Sequence, residues 1–201
     1  MSIHEPVEPD VSPRILDHPL LRDDPKFASG RIASLTLDAW ADLFHPEQDR
    51  DTGEIFACVA SAVLVGRVSA MRRDRVLPKL EPAARQDPQL STVSAVRALA
   101  WSAAVLGLEV PPMFLAPERD TGLEIVTVVP PATRIGARML AGKNAAELAF
   151  NCGRHLTWFR AEHFVCALVP SVQYLEDVFV AALSIGADHM DLLPDVRKRV
   201  A

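Results

Sequence analysis

The sequence predicts an α+β fold, mostly helical, in which helices pack on a small β-sheet, and three observations carry that expectation. Apolar residues recur at helical spacing over most of the chain, as in Val96, Leu99, Ala103 and Leu106. The period changes after residue 112, where MFLAP and LEIVTVV are short runs bounded by Pro, Gly and Asp, as strands are. A chain of 201 residues with 49% hydrophobic and 23% charged side chains can also bury a sizeable core without staples.

Taken in order, residues 1–30 combine five prolines with acidic residues and read as an extended arm, whose Ile15, Leu20 and Leu21 are apolar enough to dock on a partner surface. Residues 31–201 read as one domain. LTLDAWADLF (35–44) has helical spacing, and EQDRDTG reads as a polar break. A long helix is expected from Glu54 to about Lys79, with Phe56, Val59, Val63 and Val68 facing inward and the arginines of MRRDR on a solvated end that suits the helix dipole. Pro82 and Pro88 mark a loop. The next helix, from Ser91 as N-cap, stops at Gly107 as C-cap. After the two strands, Arg134–Met139 reads as a third short strand or a turn. Asn144 and Glu147 form a capping box for a helix from 145 to about 160. Ser171 caps a further helix ending near Gly186, and Pro194 opens a short terminal one.

Composition excludes some functions. The formal net charge of -5 speaks against a broad phosphate-binding surface, so no nucleic-acid partner is expected. Cys58, Cys152 and Cys166 are odd in number and sit in apolar runs, as reduced thiols do, and the N-terminus lacks an apolar signal core. A cytoplasmic setting is the expectation. The most apolar stretch, Ile55 to Gly66, is closed by Arg67 short of the roughly 20 residues a bilayer needs, so no membrane span is expected.

Chemistry, if any, gathers on AAELAFNCGRHLTWFRAEH, residues 145–163. Together with the preceding PPMFLAP, LEIVTVVPP and IGARMLAG, the segment resembles the minimal gluzincin metallopeptidases of the HtpX and CAAX-prenyl-protease type over about residues 91–165. In that family two strands precede a helix bearing H-E-x-x-H, whose His residues bind zinc four apart and whose Glu is the general base. Carried across, the ligand positions hold Arg154 and Trp158 and the base position holds His155. Guanidinium stays protonated and indole nitrogen is donor-only, so neither can ligate zinc. The resemblance therefore implies a zincin-like domain without catalysis and without cofactor. It acts through a protein partner or a homo-oligomer, with a strand edge at Met113, Phe114 and Leu115 or along LEIVTVV free to pair with extended peptide.

Two alternatives stay open at this stage. His155 with Glu147 nearby is the residue pair for a rebuilt hydrolase, since His moves protons near neutral pH. Cys152 and His155, three apart on one helix face, are the pair for a rebuilt metal site. A purely structural helical subunit is the third reading. No G-x-S-x-G or phosphate-binding glycine motif occurs.

Overall fold

A computed structural model describes residues 34–169, 171–187 and 191–200. The fold is α+β and mostly helical, with one four-stranded mixed sheet. Its helices are α1 (Leu37–Leu43), α2 (Arg50–Arg73), α3 (Ser94–Leu106), α4 (Ala137–Leu140), α5 (Ala145–Leu156), α6 (Ala161–Leu168), α7 (Val172–Gly186) and α8 (Pro194–Val200). The strands are β1 (Arg85–Gln86), β2 (Met113–Ala116), β3 (Leu123–Val126) and β4 (Ala132–Gly136).

The strands lie in the order β1-β2-β4-β3. β2 runs parallel to β4, whereas β1 and β3 run antiparallel to their neighbours. Among the described residues β3 therefore has a partner on one side only. Gly136 ends β4 because the chain at Thr121 crosses it closely: a Cβ there would stand 2.4 Å from the Thr121 carbonyl oxygen.

Two apolar clusters form. Val96 and Leu99 of α3, Met113 of β2, Ile135 of β4 and Leu148, Cys152 and Leu156 of α5 make the first. Phe56, Ala60, Leu64 and Val68 of α2 make the second with Phe164, Val165 and Leu168 of α6 and Val178 of α7. β3 touches both: Leu123 packs on the first cluster and Ile125 on the second.

Several boundaries differ from expectation for local reasons. α2 starts at Arg50 because Asp49 caps it, accepting from the Asp51 N–H and from the Thr52 hydroxyl at 2.6 Å. It ends at Arg73 because Arg75 takes a φ of 60° and the Val76 N–H closes onto the Met71 carbonyl at 2.9 Å. Its buried stripe is Phe56, Ala60, Leu64 and Val68, while Val59 and Val63 are only half-buried. By length and composition alone this helix could cross a membrane, and here it packs along α6. Ser91 is not the cap of α3, which starts at Ser94. The Ser91 hydroxyl instead bonds Gln86 at 3.0 Å and receives the Val93 N–H. Gly107 does cap that helix, with a φ of 66° that only glycine adopts freely. Ser171 caps α7 by accepting from the Tyr174 N–H, and the Asn144–Glu147 capping box is present on α5.

The helix expected from 145 to about 160 stops about a turn short, and an unexpected helix, α6, follows it. α5 ends at Leu156, a 3-10 turn covers Thr157–Phe159, and Arg160 is extended before α6 begins. The Arg160 guanidinium lies over the Trp40 ring, 4.3 Å from its centroid, and bonds Glu162 at 2.6 Å. These tertiary contacts sit at the break.

Candidate functional site

A cleft of about 660 Å³ opens between the free edge of β3, one face of α5 and the end of α6. Asn151, Arg154 and His155 line it from one face of α5, at spacing i, i+3, i+4, and Trp158 joins them from the 3-10 turn that follows. The facing wall is Leu123 and Ile125 of β3, and Cys166 and Ala167 close one end.

The ladder between β3 and β4 decides where the β3 backbone points. The Gly136 N–H donates to the Gly122 carbonyl at 2.8 Å, and Leu123 pairs opposite Ile135. Hydrogen-bonded pairs alternate along an antiparallel ladder, so Glu124 and Val126 face β4 while the amide and carbonyl of Leu123 and Ile125 point to the open edge. On the opposite face of the sheet Glu124 is held by Arg119 at 3.2 Å and Arg134 at 3.5 Å.

His155 is 8% exposed, and its Nε2 shares a hydrogen bond with the fully buried Thr133 hydroxyl at 2.9 Å. Its ring meets Phe159 edge-on with centroids 5.4 Å apart. Burial pushes its pKa down to about 4, so it is neutral at physiological pH. The structure does not bring His155 and Glu147 together. Glu147 holds the exposed first turn of α5, bonding the Asn144 N–H at 2.9 Å, eight residues or about 12 Å of helix away. Cys152 is 0% exposed inside the first cluster, with its thiol near the Ala95 carbonyl and its pKa pushed up to about 12 by burial. Among the described residues, no three His, Cys, Asp or Glu side chains group as a metal site would need.

Arg154 is exposed and Trp158 is 44% exposed, both at the cleft. Of the two expected strand edges, the one at Met113, Phe114 and Leu115 is corrected along its first two residues. Met113 pairs with Gln86 and Phe114 with Arg85 on one side, and β4 covers the other. Met113 is core, at 1% exposure, and Phe114 and Leu115 are half-buried. β3, within LEIVTVV, supplies an edge with no strand partner among the described residues. Ile15, Leu20 and Leu21 lie outside the described residues.

Sequence reasoning did not single out Asn151, Lys143 or Arg138, and it read Cys166 only as a thiol packed in an apolar run, whereas that residue is half-buried and lines the cleft. The spacing of Asn151 with Arg154, His155 and Trp158 was the available signal for the first; the others come from distant segments. No family model, curated protein or solved structure matches this chain.

Proposed function

We propose that the chain is a zincin-like domain that holds an extended peptide without cutting it. The observation that carries the reading is the open edge of β3, which faces Arg154, His155 and Trp158 across the cleft. Leu123 and Ile125 offer two amides and two carbonyls at register for one added strand, and their side chains with Trp158 supply apolar contact beside it. The positions that bind zinc in the metallopeptidases it resembles carry a guanidinium and an indole, neither of which has a free lone pair for a metal. A hydrolase rebuilt on His155 is the weaker reading, because this imidazole is buried and bonded to a hydroxyl, with no carboxylate among the residues around the cleft.

The test uses labelled hexapeptides of alternating Val and a polar residue, N-methylated in one phase or the other. Methylation at the amides that meet β3 is expected to abolish binding, and methylation in the opposite phase to leave it. Bound peptide is also expected to protect Cys166 from alkylation while exposed Cys58 stays reactive. Binding that ignores the methylation phase, or protects neither cysteine, would overturn the reading.

A further inference from the structure

The same cleft is electropositive in a chain whose formal net charge is -5. Arg138, Lys143 and Arg154 stand around it, with no Asp or Glu among the lining residues. Arg138 is engaged by exposed Asp120 through bonds of 3.0 and 2.9 Å. Among the described residues Lys143 and Arg154 meet no carboxylate, so two cations there stay uncompensated. The His155 imidazole in the same lining is neutral near pH 7 and neither adds to nor offsets that charge.

Their placement has a direction. Arg154 stands on the α5 wall of the cleft, and Lys143 lines it just ahead of the α5 cap. A strand lying along Leu123 and Ile125 turns alternate side chains to opposite faces of the sheet, one set into the cleft with Arg154 and Trp158 and the other away from it. We infer that the peptide this edge selects is acidic, an extended segment of a partner protein in which Asp or Glu alternates with apolar residues. The acidic groups take the alternate positions that face the cleft and meet Lys143 and Arg154, beside Leu123, Ile125 and Trp158. This rests on the strand-pairing reading above and adds the chemical class of the partner. Complementary charge would act on selection and encounter rate more than on total affinity.

Three labelled hexapeptides separate the two claims: Val alternating with Glu, with Gln, or with Lys. At about 0.05 M salt the Glu peptide is expected to bind about tenfold tighter than its Gln isostere, and the Lys peptide not measurably, with the advantage of Glu shrinking toward unity near 0.5 M salt. Charge reversal at both positions, Lys143→Glu with Arg154→Glu, is expected to invert the preference. Both side chains are at the surface of the cleft, so circular dichroism should confirm an unchanged fold. Equal binding of the Glu and Gln peptides, still sensitive to methylation phase, would overturn the acidic specificity and leave strand pairing standing. Loss of phase sensitivity in all three would overturn strand pairing itself. A chain that binds the Glu peptide only after residues 1–30 are removed would assign the cleft to its own acidic arm, against a partner segment.

Discussion

His155 couples the burial of one side chain to the pH response of the whole chain. Its folded pKa, near 4, lies below the ordinary value of 6.5, so between those values the unfolded chain takes up a proton that the folded one refuses. Stability contributed by neutral His155 is therefore complete above about pH 6.5, falls as pH drops, and is gone near pH 4, a loss on the order of 3 kcal/mol. Urea unfolding at a series of pH values should show that slope, and His155→Gln should flatten it; an unchanged slope in the variant would assign it to other groups. At the neighbouring positions, Arg154 and Trp158 lead to the expectation that purified protein holds no stoichiometric zinc and leaves casein intact. Elemental analysis finding about one zinc per chain, with chelation lowering Tm, would contradict it.

Elements are held by devices that can be removed singly. The box at the start of α5 satisfies two backbone amides reciprocally, through Asn144 and Glu147. Asn144→Ala is expected to cost about 1 kcal/mol in urea unfolding, because the Glu147 N–H loses its partner. α8 is tied to α7 by Arg199, which grips buried Asp177 with both Nε and Nη2, the latter at 2.8 Å. The hydrogen bond from Arg199 lowers the pKa of Asp177, so this tether acts fully above the ordinary carboxylate range and is lost as pH falls through the lowered value. Arg199→Ala should speed amide hydrogen exchange in residues 195–199 at neutral pH and reduce its acid dependence. Exchange as slow as in the parent would mean that packing alone holds α8.

At the scale of the whole molecule, two apolar clusters are joined through β3, since Leu123 belongs to one side and Ile125 to the other. That bridge predicts a single cooperative transition. Leu99→Ala in the first cluster and Leu168→Ala in the second should each cost about 2–5 kcal/mol and shift tryptophan fluorescence and circular dichroism together. Two separated transitions, each sensitive to one substitution, would show that the clusters fold independently. The same bridge seats the cleft: its floor is where the two clusters meet, so the strand edge is held from both sides.

Local chemistry made much of the architecture legible. The periodicity around Val96 and Leu99, the change of period at Met113, the Asn144–Glu147 box and the Gly107 cap each involve residues near in sequence, and local hydrogen bonds and side-chain spacing determine them. What the sequence alone left undecided depends on distant partners. The start of α6 at Ala161 coincides with the Arg160 guanidinium stacking on Trp40, 120 residues earlier, and no capping side chain marks it. The choice of β3 as the open edge required β1, two residues long and without a pattern of its own, to find β2. Likewise His155 has the same neighbours in sequence whether it is a base or a core residue; the Thr133 hydroxyl, 22 residues away, decided that it is buried and neutral. Strand order and burial are properties of non-local pairing, which no window of neighbouring residues contains.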